Sequence, residues 1–240
     1  MARGTSLPGY CFSCKKKYDK RGIGRHLKTC PARKKAIEKE KGEKFRIFHL
    51  RIEDPYDSSY WLDIEMAATS PLSTLDQFLR DVWLECCGHL SQFIVGETYY
   101  SYYIDDDPFF GSWKTEEYDL TIPLEKALPI NKKVVYEYDF GSTTELSIKV
   151  IAEREGTLPG GKTTIRFLSR NFSPVYPCAI CGKPAKWVDV FRYQNNLFCN
   201  QHIDEAENDE MLLPLVNSPR AGVCGYEGTE IKEYKFERFS

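Results

Sequence analysis

Long apolar runs are missing from this chain: none approaches the roughly 18 residues a membrane span needs, and the first residues lack the apolar core of a signal peptide. No membrane partner is expected, and the predicted location is the cytoplasm, or the nucleus in a eukaryote. A dominant net charge is missing too, at −2 overall. So is a recognisable acid/base pair, since Glu116 and Glu117 add acidity without one. What remains is 240 residues, 42% hydrophobic and 14% aromatic, enough to bury a core in one or two domains with small modules attached.

The near-neutral total conceals a division. Residues 1–46 hold 15 Lys and Arg against 4 Asp and Glu, and the rest of the chain holds 18 against 31, so a +11 head precedes a −13 body. A basic head on an acidic body points to a polyanion as the head's partner. Nine cysteines in a reducing compartment stay mostly as thiols, so the closely spaced ones read as metal ligands rather than disulfides.

The head carries Cys11-x2-Cys14-x11-His26-x3-Cys30. Zinc takes four such ligands in a tetrahedron; a Cys-x2-Cys turn supplies two, and His26 and Cys30, four apart on one helical face, supply the others. Tyr18 and Ile23 fall where a ββα finger keeps its small core. The pattern resembles a C2H2 finger whose last ligand is cysteine and whose middle spacing is one residue short. A redox Cys-x-x-Cys does not account for His26 and Cys30. Lys15, Lys16, Lys17, Lys20, Arg21, Arg25 and Lys28 are the expected phosphate contacts, with the Arg33-Lys34-Lys35 run beyond them. One finger reads only about three base pairs, so non-specific or structure-selective binding is expected. Residues 31–44 read as a charged linker or short helix, with Gly42 a break.

From Phe45 the alternation becomes that of strands. Phe45–Ile52 and Tyr60–Met66 read as a pair joined through Asp54-Pro55-Tyr56-Asp57-Ser58. Ser73 or Thr74 is the expected cap of a helix whose apolar stripe is Leu75, Phe78, Leu79, Val82, Trp83 and Cys86. Cys86, Cys87 and His89 are accordingly expected as core and helix-end residues, there being no Cys-x2-Cys turn. Asp105-Asp106-Asp107-Pro108 reads as a solvent loop rather than a magnesium site, because three consecutive side chains do not converge on one ion in an ordinary loop. Val134–Ile151 alternates on both sides of a Gly-Ser-Thr-Thr break, as two half-buried strands or one bent strand do, and is the expected spine of the middle domain.

Two motifs carry a family resemblance: His89-Leu90-Ser91-Gln92-Phe93 after the amphipathic helix, and the Tyr-x-Tyr-Asp-Phe-Gly run from Tyr136 to Gly141. Residues 45–170 thereby resemble the plasmid Ri open-reading-frame-three-like family, also labelled insertion-element passenger TnpR-like. Many relatives continue Phe-Gly with Asp-x-Trp-x-His, whereas Ser142, Thr144 and Leu146 stand here, so no activity of that trio is implied. The TnpR label does not imply recombination either, because no N-terminal-strand serine with clustered arginines is present.

Gly156 to Thr163 matches G-x4-G-K-[ST], the phosphate-binding loop. Thr163-Thr-Ile-Arg-Phe-Leu is β-branched and alternating, however, which predicts strand, loop and strand in place of the helix that motif requires. The tail holds Cys178-x2-Cys181-x17-Cys199-x2-His202, with Gly182 completing the tight turn and Phe198 onward reading as a strand passing into a helix. Four ligands with no open position imply a structural treble-clef or ribbon-like knuckle. Cys224 reads as a buried thiol, with a spare ligand as the alternative.

The expectation is thus an α+β chain: a basic C2HC zinc finger and linker at 1–44, a mixed or antiparallel sheet domain with a packed helix at 45–172, and a CCCH zinc knuckle and tail at 173–240. Two zinc ions are expected. The function expected is a non-catalytic zinc protein that binds nucleic acid, DNA or RNA, through the head. The acidic body is expected to make a second contact, with a protein as its candidate partner; a zinc-stabilised adaptor docking a partner through the finger and a Tyr/Trp-rich surface is the alternative, and an enzyme acting on nucleic acid or nucleotide is third.

Overall fold

The computed structural model describes residues 6–102, 116–206, 212–231 and 234, and the Asp105–Asp107 cluster lies outside them. The chain divides into two compact units, one of Met1–Gln77 with Leu90–Asn171 and one of Phe78–His89 with Phe172–Ser240. The secondary structure is mixed and rich in sheet. Among the described residues no helix is long and apolar enough to cross a membrane.

The first unit begins with β1 (Gly9–Cys11), β2 (Lys17–Tyr18), α1 (Lys20–Thr29) and α2 (Pro31–Glu38). The Asp19 side chain accepts from the Gly22 amide and caps α1. After these come β3 (Phe45–Glu53) and β4 (Trp61–Ala67), the antiparallel pair expected from their alternation. α3 (Leu72–Leu79) starts at Leu72, so Ser73 and Thr74, expected as caps, lie inside its first turn, where the Thr74 amide already donates to Pro71 O at 3.0 Å. The remaining elements are β5 (Ser91–Val95), β6 (Thr98–Ser101), β7 (Glu116–Asp119), α4 (Leu124–Ala127), β8 (Lys133–Tyr138), β9 (Thr144–Gly156) and β10 (Arg166–Asn171).

These strands form one ten-stranded sheet in the order β2-β1-β10-β4-β3-β9-β8-β5-β6-β7, antiparallel except for the β6–β7 pair. The expected spine is the β8–β9 hairpin, in which Val134, Tyr136 and Tyr138 face Ile148, Leu146 and Thr144 and all six are buried. Its turn is made by Asp139, whose carboxylate accepts from the amides of Gly141 and Ser142. α3 packs on this part of the sheet through Asp76, which accepts from Tyr136 Oη at 2.7 Å and from Ser91 Oγ at 2.6 Å.

The boundary expected at residue 44 is not a break in contact. β1 pairs with β10 from Gly9↔Asn171 to Cys11↔Ser169, and Ile23, Leu27 and Cys30 bury themselves with Trp61 and Leu168 of the sheet. So short a segment has little core of its own, and the sheet supplies the missing apolar surface. Gly9 permits this contact: a Cβ there would stand 2.0 Å from Arg170 O and 2.7 Å from the Trp61 ring.

The second unit holds a π turn (Arg80–Leu84), β11 (Trp187–Asp189), β12 (Leu197–Phe198), a 3₁₀ turn (Ile203–Glu205) and β13 (Leu212–Pro214). β11 is the centre of its three-stranded antiparallel sheet. Among the described residues, the helix expected after Phe198 is that 3₁₀ turn.

Candidate metal centres and the basic face

Cys11 ends β1, Cys14 lies on the turn after it, His26 sits in the last turn of α1, and Cys30 joins α1 to α2. Their ligand atoms lie within 4.8 Å of one another. A tetrahedral zinc with bonds of about 2.3 Å to sulfur and 2.0–2.1 Å to nitrogen sets its ligands about 3.8 Å apart for sulfur–sulfur edges and about 3.5 Å for sulfur–nitrogen edges. Here Cys11 Sγ and Cys30 Sγ are 3.9 Å apart, and Cys14 Sγ and His26 Nε2 are 3.3 Å apart. The Tyr18 ring packs against the small core as expected and stacks on the His26 imidazole at 3.9 Å, fixing its orientation, while Leu27 joins Ile23 among the fully buried residues. Partial burial, and then the charge of Lys16, lower the His26 pKa and favour the neutral imidazole that ligates metals.

The tail cluster repeats this geometry. Cys178, Cys181, Cys199 and His202 converge within 4.8 Å, with Cys181 Sγ 3.7 Å from Cys199 Sγ and His202 Nδ1 3.4 Å from Cys199 Sγ. Its turn matches that of the first cluster bond for bond. Gly182 N donates to Cys178 O at 2.9 Å and Cys178 N to Lys183 O at 2.7 Å, as Lys15 N donates to Cys11 O at 2.7 Å and Cys11 N to Lys16 O at 3.0 Å. The residue after the second cysteine is left-handed in both, Gly182 at φ 71° and Lys15 at φ 60°. Burial raises the Cys178 thiol, but the amides of Cys181, Ile180 and Cys199, with His202, outweigh it and bring its pKa to about 6.

A third group was not expected. Cys86, Cys87, His89 and Cys224 bring their ligand atoms within 4.8 Å of one another, all in the second unit. Cys87 and Cys224 are exposed rather than core residues. The sequence hid this group because Cys224 lies 135 residues beyond His89. Three Cys/His groups can therefore hold metal ions.

The basic residues divide by use. On α1, Arg21, Arg25 and Lys28 stand at i, i+4 and i+7 on the exposed face, opposite the buried Ile23 and Leu27. Lys15, Lys16 and Lys17 are exposed on the adjoining turn and strand. Lys20, expected among them, is instead paired with Glu53 at 3.1 Å and only 14% exposed. Arg33 is also turned inward: its guanidinium pairs with Glu65, which Arg154 and Arg166 reach at 2.8 and 3.2 Å.

Glu65 belongs to a buried ionic network that sequence reading missed. Its neighbour on β4, Asp63, accepts from Arg51 Nε and Nη2 at 2.7 Å each, from Ser169 Oγ, and lies 2.9 Å from His49 Nε2. Burial raises both carboxyls, but Arg51 and His49 hold Asp63 at about 2, and Arg154, Arg33 and Arg166 hold Glu65 at about 2. Ser169 donates to the carboxylate and not to the imidazole, so Ser169, His49 and Asp63 lack the nucleophile–base contact of a catalytic triad.

The Gly156–Thr163 stretch runs from the end of β9 into a loop and on to β10, the strand–loop–strand form expected. Lys162 lies 3.7 Å from Glu43 and over the Phe45 ring. Among the described residues the element that follows the loop is the strand β10 and not the helix that phosphate cradling requires.

No family model matches the chain, and no curated protein matches it. Among solved structures, a protein of unknown function from Methanosarcina mazei Go1 superposes with a TM-score of 0.39 at 16% identity, over 46% of this chain and 62% of that one. The match spans less than two thirds of that protein and is too slight to carry an argument.

Proposed function

We propose that this chain is a non-catalytic zinc protein whose N-terminal C2HC finger binds nucleic acid through its basic face. The reading takes the Cys11 and Cys178 groups as zinc sites, on soft ligands and tetrahedral edge lengths. It also takes the compartment to be reducing, in keeping with nine free thiols. The observation that carries it is the Arg21, Arg25 and Lys28 stripe, continued by Lys15, Lys16 and Lys17, on the side of α1 turned away from its apolar contacts. Such a surface neutralises phosphates without reading bases, so binding is salt-dependent and tolerant of sequence. The middle sheet is proposed as a relative of the plasmid Ri open-reading-frame-three-like family. In support, its two motifs overlap β5 and β8, neighbours in the sheet, with Phe93 opposite Tyr136 and the rings 4.7 Å apart.

The test is a salt titration of polynucleotide binding. Lys15→Glu with Arg25→Glu is expected to weaken binding across sequences and to reduce the slope of log K against log salt by about 2, with the fold unchanged by circular dichroism. Cys14→Ser is expected to lose one zinc and the order of the finger together. Unchanged binding in the charge-reversed protein overturns the nucleic-acid reading. One observation favours the adaptor reading instead: Ile180, Phe191 and Tyr193 of the second unit are 54%, 65% and 96% exposed. Salt-insensitive capture of a protein, lost when Phe191 and Tyr193 are replaced, supports that alternative.

A further inference from the structure

We propose that Cys86, Cys87, His89 and Cys224 are the ligands of a third structural zinc ion. This goes beyond the two-ion reading and does not depend on nucleic-acid binding. Cys87 Sγ is 3.8 Å from Cys224 Sγ, and Cys224 Sγ is 3.6 Å from His89 Nε2. These are the edges of a zinc tetrahedron, about 3.8 Å and about 3.5 Å by the same bond lengths as before. The sulfur separation is far beyond the roughly 2.0 Å of a disulfide. Consecutive side chains in a strand point apart, but the backbone bends at Cys86 and Cys87, and this brings both thiols to one side.

The ligand census agrees. Each of the three groups has three cysteines and one histidine, and together they use all nine cysteines and three of the four histidines. The fourth histidine, His49, is held by Asp63 at 2.9 Å. A donor set of three thiolates and an imidazole, with no open position, suits zinc and a structural role.

The two segments that meet at this group are fixed by contacts other than the ligands. Arg80 donates to Glu85 Oε2 at 2.9 Å and to His89 O at 2.7 Å, and Glu85 Oε1 accepts from the Gly88 amide, so the turn bearing three ligands is clamped at both ends. On the other side Trp83 Nε1 donates to Asn217 O at 3.0 Å and Ser218 Oγ to Trp83 O at 2.6 Å. The fully buried Arg220 places Nη2 3.5 Å from Cys86 Sγ. Three thiolates on a zinc dication leave a net negative charge, and a guanidinium bonded to one sulfur balances it as outer-shell partners of metal ligands do. Cys224 has φ 54°, a left-handed conformation that a residue with a side chain adopts only when its surroundings enforce it, and here it turns the thiol toward Cys87 and His89.

The experiment is metal and thiol counting on the full chain purified under reducing conditions with zinc. Three zinc ions per chain are expected, released together with nine titratable thiols. Cys224→Ser and, separately, His89→Ala are each expected to hold two, and cobalt added to the zinc-free wild type is expected to give thiolate charge-transfer absorption for three sites. Cys14→Ser and Cys181→Ser, each expected to lose one ion, report on the other two groups. Two ions in the wild type, falling to one in each of those controls but unchanged in Cys224→Ser, overturn the third site and leave the two-ion reading standing. Seven titratable thiols, with a tryptic peptide joining Cys87 to Cys224, overturn it in favour of a disulfide. The wild-type counts decide the question even where a variant fails to fold.

Discussion

Asp63 shows how one residue can serve the fold while reading as a surface position. It alternates with apolar neighbours on β4, the pattern of a solvated face, yet it is fully buried because Arg51, His49 and Ser169 cover it. Its folded pKa, about 2, lies below the unfolded value of roughly 4, so its stabilisation is complete above about pH 4 and is lost as pH falls toward 2. Asp63→Asn leaves the buried Arg51 guanidinium without its anion and is expected to cost about 3–5 kcal/mol at pH 6. The difference between wild type and variant, from urea midpoints, is expected to shrink by roughly 2 kcal/mol between pH 5 and pH 2. Any metal held by the proposed thiolate sites is released from both proteins in this range and so drops out of the difference. A difference that stays constant over this range would sink the assignment. The same scale explains what the sequence hid about metal ligands. A Cys-x2-Cys turn declares itself within four residues, as at Cys11 and Cys178, whereas the Cys86 group needs a partner that only the fold brings near.

Among the elements, the β8–β9 hairpin was legible because it buries one face and so prints a period of two, and the β3–β4 pair because polar and apolar residues alternate along it, although ion pairs cover the polar face of β4 and bury that strand throughout. The attachment of β1 to β10 was not, since three residues, Gly9–Cys11, are too few to show any period. That attachment makes the N-terminal ββα segment depend on the sheet. Ile23, Leu27 and Cys30 meet Trp61 and Leu168, and Trp61 Nε1 donates to Leu7 O at 3.0 Å. Gly9→Ala inserts a methyl group into backbone already in contact, so β1 must lift from β10. The expected result is a loss of roughly 2–3 kcal/mol of stability in the first unit, typical of overpacking, with weaker zinc retention at Cys11, Cys14, His26 and Cys30 alone. Competition with a graded series of chelators measures this, and the Cys178 group is the internal control. Equal retention at both sites in the variant would mean that the finger holds its metal without the sheet.

For the molecule as a whole, the charge division gives the most direct test of where a polyanion binds. With a net charge of −2 the protein as a whole does not attract nucleic acid, so on the proposed reading the attraction is that of the local field of the head, which at physiological salt reaches only about 8 Å. Lys133 and Lys149 provide a matched control. They are exposed, face each other across β8 and β9, and lie outside the basic segment. Lys133→Glu with Lys149→Glu changes the net charge by the same four units as Lys15→Glu with Arg25→Glu. It also sets two like charges opposite each other just as the wild type does, so its effect on the fold should be small. If binding follows the local basic face, only the head variant loses affinity, by roughly 10- to 100-fold near 0.1 M salt for two lost phosphate contacts turned repulsive. The sheet variant should keep both the affinity and the salt slope of the wild type. Equal losses in the two variants would show that net charge governs the interaction, and the finger would then have no special claim to the nucleic acid.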